Sequence, residues 1–152
     1  MQKSKALQAI VYGGLLAGAL DLIAACLTNY WRGISPIRVF QAIASGLLGA
    51  ASYQGGAATA ALGVFLHFII AFGATIVFYL LSQKFEFLVR QAILFGLLYG
   101  IAVYWFMELV VLPLSAFTAK NRFAPDQIAS GLIIHALCVG LPIALTIRHF
   151  AK

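Results

Sequence analysis

Long apolar runs alternate with short polar connections along the whole chain. Four runs reach about 20 residues or more, the length at which a helix crosses the roughly 30 Å apolar layer of a bilayer. They cover Ala6 to Thr28, Ala57 to Leu81, Gln91 to Leu112 and Gln127 to Ile147. The pattern therefore predicts one transmembrane domain over residues 1–152, an all-α four-helix bundle whose connections are too short for a separate soluble domain.

A shorter apolar segment lies between the first two predicted spans. Ser35 suits an N-cap and Pro36 the first helical position, so we predict an extra helix over about 36–52 that ends before Gly55-Gly56. The segment is short for a span and contains polar side chains. We expect an interfacial or re-entrant helix on the outer face, and a fifth crossing is the less favoured alternative.

Composition and charge support a membrane class. The chain is 63% hydrophobic and 9% charged, with a net charge of +6. The basic residues flank the spans, where they indicate topology rather than a nucleic-acid partner. Six lie on the side of the termini and four on the other: Lys3, Lys5, Lys84, Arg90, Arg148 and Lys152 against Arg32, Arg38, Lys120 and Arg122. This excess predicts that both termini are cytoplasmic.

Two spans carry an acidic residue at a matching position. In the first span Asp21 follows Tyr12 by nine residues, and in the third Glu108 follows Tyr99 by nine residues. Each tyrosine is followed directly by glycine. The match indicates an internal repeat, in which spans one and three are equivalent.

The other two spans carry histidine with a second shared spacing. Gly63 precedes His67 by four residues, and Gly131 precedes His135 by four residues. Each half of the chain is then a hairpin of one acid-bearing and one histidine-bearing helix. Two tandem hairpins insert in the same orientation, so we expect a pseudo-two-fold axis along the membrane normal.

The four ionisable side chains should meet in one layer. At 1.5 Å per residue, Asp21, His67, Glu108 and His135 lie about 9 to 15 Å below the outer helix ends. Facing lipid there would be costly, so we expect a buried polar cluster within the bundle. Tyr104, one turn before Glu108, is predicted to support that carboxylate with a hydrogen bond. Gly63 and Gly131 are expected to clear space beside the histidines.

The cluster permits three functional interpretations with different chemistry. It can be a proton site, or a divalent-metal site in which carboxylate oxygens and imidazole nitrogens are the ligands. Alternatively, His67 and His135 hold haem b as an electron carrier, with the two glycines making room for the macrocycle. The serines lack a histidine and an acid at a recognisable spacing, so the sequence does not indicate a nucleophilic enzyme.

A structural role is the remaining alternative. Carboxylate–imidazole pairs can lock helices in register without further chemistry, as in an accessory subunit of a larger membrane complex. Span one carries Gly13, Gly14, Ala17 and Gly18, small residues that allow close helix approach. Such Gly/Ala-rich faces predict a homo-oligomer or a larger complex as partner, in addition to the lipid bilayer.

The strings "IASGLLGAASYQGGAATAALGVFLHFIIAFGAT", "VVLPLS" and "VGLPIAL" resemble small bacterial inner-membrane proteins with four helices that are known mainly as uncharacterised. The resemblance covers most of the chain from Ser35 onward. It implies the bacterial inner membrane as location and carries no established activity, cofactor or site residue.

Overall fold

The computed structural model describes residues 3–117 and 123–151, and within these ranges all regular structure is helical. The α-helices are α1 (Lys3–Tyr30), α2 (Pro36–Leu48), α3 (Gly56–Lys84), α4 (Phe87–Arg90), α5 (Ala92–Phe106), α6 (Leu112–Leu114), α7 (Pro125–Ile134) and α8 (Leu141–Ala151). A 3-10 helix, Gly49–Gln54, follows α2. Two π-helical turns, Met107–Val111 and His135–Gly140, join α5 to α6 and α7 to α8. Lys120 and Arg122 lie outside the described residues.

Four continuous helices are long and apolar enough to cross a membrane: Ser4–Tyr30, Gly56–Lys84, Ala92–Leu114 and Pro125–Ala151. We call them spans one to four. The predictions of an all-helical fold and four candidate spans are confirmed, and they indicate a multi-pass membrane protein. The tandem-hairpin symmetry stays a prediction.

The spans form a four-sided bundle. Span one packs against spans two and four, and span three packs against span four. Spans two and three form the fourth side, where the Tyr99 hydroxyl of α5 donates a hydrogen bond to the Ala74 carbonyl of α3 at 2.7 Å. We call the end of the bundle that carries α2 the α2 end, and the opposite end the termini end.

An apolar core fills the termini end. Phe78, Ile143 and Ile147 are the largest fully buried apolar side chains there, and small residues such as Ala9 and Ala144 let the helices close around them. The Phe78 ring meets the Tyr99 ring edge-on at 5.0 Å. Tight packing of this kind leaves little room for water around these three side chains.

Spans three and four touch backbone to backbone. A Cβ added at Gly140 would overlap the Gly96 carbonyl and the Gly100 backbone, and one added at Gly100 would overlap the His135 carbonyl. Gly96 and Gly100 are four residues apart, so both lie on the α5 face that meets span four. These glycines set the position of His135 relative to span three.

Helix α2 packs mainly against span two at the α2 end of the bundle. Gly63 of α3 allows the Phe40 backbone of α2 to approach it closely, because a side chain there would overlap the Phe40 carbonyl. Gln41 Nε2 donates to the Gly56 carbonyl at 3.1 Å. Beyond span three, the Ala116 amide donates to a carbonyl of α2 at 2.9 Å. Helix α2 therefore bridges span two and the segment after span three.

Each π turn precedes a proline that interrupts the helical hydrogen bonding. Proline has no amide hydrogen and its ring crowds the carbonyl four residues earlier. For Pro113 that carbonyl belongs to Leu109, and for Pro142 it belongs to Cys138; both lie inside the π turns. The turns contain Glu108 and begin at His135, so the two site residues of the second hairpin lie in widened helix.

Candidate intramembrane carboxylate–imidazole site

Asp21 of span one lies between two imidazole rings. Its Oδ2 is 3.9 Å from His67 Nε2 of span two, and its Oδ1 is 4.0 Å from His135 Nδ1 of span four. The three side chains are only 13 to 22% exposed. Three of the four predicted site residues therefore come together from three different spans, and we call them the Asp21 site.

Backbone carbonyls hold both rings in place. His67 Nε2 is 2.9 Å from the Gly18 carbonyl, and His135 Nδ1 is 3.0 Å from the Gly131 carbonyl. A carbonyl can only accept, so these two nitrogens carry hydrogen and donate. The opposite ring nitrogens are then the atoms at which each imidazole gains or loses a proton. Asp21 faces the N–H sides of both rings.

Glycines of span one make this arrangement possible. Gly18 lies on α1 nearly one turn before Asp21, and the absence of a side chain lets the ring of Phe68 press against it. The neighbouring His67 can then reach the Gly18 carbonyl. Gly14, one turn earlier, receives the Phe72 ring in the same way. This small-residue face of span one is thus occupied within the chain.

Glu108 belongs to a neighbouring polar cavity. With Asp21 and His135 it lines a cavity of about 210 Å³ between spans one, three and four. The cavity reaches the α2 end, where Arg32 and Gln127 lie at its mouth. A polar route thus connects the α2 end to the Asp21 site.

An exposed ion pair links the end of span one to α7 at this mouth. Arg32, just after span one, donates to the Asp126 carboxylate in the first turn of α7 at 2.8 Å. Asp126 also suits the positive end of the α7 helix dipole. The positive charge nearest the mouth is therefore largely balanced by its partner.

A second, larger cavity lies at the centre of the bundle. It has a volume of about 320 Å³, is lined by all four spans and by α2, and is mostly apolar. Asp21, His67 and His135 are among its few polar residues. Asp21, His135 and Ala25 line both cavities, so the Asp21 site lies where the polar and apolar cavities meet.

The predicted supporting residues have specific contacts. Tyr104 is buried, and its ring meets the His135 ring edge-on at 5.4 Å. It also covers Gly131, where an added Cβ would overlap the tyrosine ring. The space beside Gly63 is filled by α2. Neither glycine leaves room for a haem macrocycle, and these contacts give the haem interpretation no support.

The metal interpretation also finds no support in the geometry. Among the residues that the structure describes, no group of three or more His, Cys, Asp and Glu side chains could hold a metal ion. The hydrogen bonds of His67 and His135 are a second observation against a metal. A metal ligand needs a nitrogen lone pair, whereas the nitrogens nearest Asp21 donate their hydrogens to carbonyls.

Comparisons with known proteins give no relatives: no family model, curated protein or solved structure matches the chain.

Proposed function

We propose that the chain is a multi-pass protein of the bacterial inner membrane, with both termini in the cytoplasm, and that the Asp21 site binds protons from the periplasmic side. The observation that carries the proposal is the position of Asp21. Its carboxylate lies about equally close to two imidazoles, at 3.9 and 4.0 Å, and lines a polar cavity that reaches the α2 end.

The charges around the site favour proton uptake. An imidazolium on either ring would be attracted by the Asp21 carboxylate, whose oxygens lie 3.9 Å from His67 Nε2 and 4.0 Å from His135 Nδ1. The other titratable groups near Asp21 are Glu108 and Tyr104 of span three, which line the polar cavity, and Cys138 of span four. At the mouth, Arg32 would oppose proton entry, but Asp126 largely cancels its charge.

The packed core at the termini end supports a one-sided exchange. Phe78, Ile143 and Ile147 fill the bundle between the Asp21 site and the termini end. A proton needs water or a chain of polar groups to move, and the hydroxyls of Thr75 and Tyr99 in this region each donate to a backbone carbonyl of α3. These contacts support a proton-binding site open toward the α2 end rather than a continuous channel.

Nuclear magnetic resonance of the imidazole nitrogens in lipid nanodiscs tests the proposal. At a pH where the wild-type rings are half protonated, we expect Asp21→Asn to lower the charged fraction of both His67 and His135. The exposed His149 near the C-terminus is an internal reference and should not change. If Asp21→Asn leaves the protonation of both rings unchanged, the proposed site is wrong.

A structural role has one observation in its favour. The His67 hydrogen bond to the Gly18 carbonyl joins spans one and two directly. If this bond were the whole purpose of the residue, a substitution that keeps the donor would preserve every property of the protein. The variants in the Discussion separate this role from proton binding.

A further inference from the structure

We propose that the central cavity binds a hydrophobic organic cation, with its apolar body among the spans and its positive group against Asp21. The proposal deepens the proposed function, because the same carboxylate would pair either with a protonated imidazole or with the cation. The ligand class follows from the volume, lining and charge of the cavity.

The cavity has the dimensions and surface of a small-molecule site. Its volume of about 320 Å³ lies at the lower end of the range of roughly 300 to 1,000 Å³ typical of ligand pockets. The walls are apolar side chains from every side of the bundle, among them Val39, Ile70, Val103, Met107 and Val139. A body of one or two rings fits such a space.

Asp21 determines the charge of the ligand. Among the described residues, no lysine or arginine lines the central cavity, and Asp21 is its one acidic residue. With neutral imidazoles the cavity therefore carries a single negative charge. A positive ligand group complements that charge, whereas an anion would be repelled.

A lipid tail alone is a poor occupant of this cavity. A hydrocarbon chain would fill the apolar volume but would place an ionised carboxylate against hydrocarbon, which is costly without a charged partner. The N–H groups of His67 and His135 already donate to the carbonyls of Gly18 and Gly131, so they leave Asp21 free to accept from a ligand. A cationic ligand group next to Asp21 would avoid the cost of placing the carboxylate against hydrocarbon.

Proton and cation should compete for the site. Protonation of His67 or His135 places a positive charge about 4 Å from Asp21 and satisfies the carboxylate. Glu108, Tyr104 and Cys138 also lie near Asp21 and carry no positive charge that could replace the imidazolium. An imidazolium on either ring would therefore compete with the organic cation for Asp21.

A pair of matched probes tests the charge requirement. Benzyltrimethylammonium is a permanent cation, and neopentylbenzene is its neutral carbon analogue of the same shape. In nanodiscs at pH 8, we expect saturable binding of the cation, at least tenfold tighter than binding of the neutral probe. Asp21→Asn should weaken cation binding at least tenfold and leave the neutral probe within twofold.

Two further variants control for location and folding. Glu86→Gln removes an exposed acid paired with Arg90 near the termini end, and cation binding should stay within twofold of wild type. Ile43→Trp fills the cavity from α2 while keeping Asp21, and it should abolish binding of the cation. Loss of cation binding in Ile43→Trp would place the bound cation in the central cavity, even if Asp21→Asn misfolds.

Specific results would overturn the inference. Equal affinity for the two probes, or unchanged cation binding in both Asp21→Asn and Ile43→Trp, would show that the cavity does not recognise a cation. The proposed function is judged separately, from the imidazole protonation measured without any probe. If the cation does not bind but Asp21→Asn still lowers the protonation of both rings, the organic-cation proposal is wrong and the proposed proton site stands.

Discussion

Asp21 of span one lies close to one imidazole from span two and one from span four. Its carboxylate faces two N–H groups whose hydrogen bonds go to carbonyls rather than to the carboxylate itself. The rings are therefore held in place when neutral and become attracted to Asp21 when protonated. The hydrogen bonds to carbonyls fix the positions of the rings, and Asp21 interacts with their charge. These two kinds of contact can be removed separately by mutation.

Two substitutions of His67 separate these contacts. His67→Gln keeps an N–H donor that can reach the Gly18 carbonyl, whereas His67→Ala loses the hydrogen bond. We expect His67→Ala to lower the free energy of unfolding by about 1 kcal/mol and His67→Gln by less, measured by unfolding in mixed micelles. His67→Gln should nevertheless lose the proton that His67 binds. Full retention of proton uptake in His67→Gln would favour the purely structural role.

The exposed ion pair at the cavity mouth should contribute little stability. The Arg32 and Asp126 side chains are 34% and 68% exposed, and exposed pairs contribute at most about 1 kcal/mol. We expect Asp126→Asn to change the unfolding free energy by less than that amount. A loss of about 3 kcal/mol in the same micelle assay would mean that the pair is a structural lock.

At the scale of elements, the close contact of spans three and four depends on glycine. Gly140 meets the backbone of Gly96 and Gly100, while Gly73 of α3 has open space beside it. Gly140 cannot accept even a methyl group unless the helices separate. Gly73 can accept one, and alanine is a better helix former than glycine.

Alanine substitutions at these two positions should have opposite effects. We expect Gly140→Ala to destabilise the protein by about 1 to 3 kcal/mol, because the added methyl forces the helices apart. Gly73→Ala should be neutral or stabilising by up to about 1 kcal/mol. Thermal unfolding in detergent measures both. Equal destabilisation by the two variants would contradict the described contact.

The sequence predicted the spans well because crossing a bilayer requires a long apolar run. The common depth of the acid and histidine residues was inferred from helix rise, and it stays a prediction. The sequence could not predict which way each side chain points, since the spans are apolar on all sides and offer no polar face as a guide. The sequence therefore could not indicate that Asp21, His67 and His135 meet while Glu108 lines a neighbouring cavity.

The π turns and the central cavity were not predicted. The signals for the turns were Pro113 and Pro142, which interrupt otherwise regular spans. The cavity had no signal in the sequence, since it depends on where α2 packs. The contact of α2 with Gly63 also explains why that glycine serves helix packing rather than a cofactor.

At the scale of the whole molecule, the account predicts access from one end only. In a variant with Cys26 and Cys138 replaced by serine, a cysteine at Ala25 would line both cavities, and one at Ala144 would lie in the apolar core. A charged thiol reagent should label the first and spare the second. Comparable labelling at Ala144 would show that water reaches the packed core.

The most direct test of the account is the distance between the Asp21 carboxyl carbon and the imidazole nitrogens, measured by solid-state nuclear magnetic resonance in lipid. We predict dipolar coupling of the carboxyl carbon to nitrogens of both His67 and His135, consistent with oxygen–nitrogen distances of 3.9 and 4.0 Å. Coupling to only one ring, or to neither, would contradict the shared site.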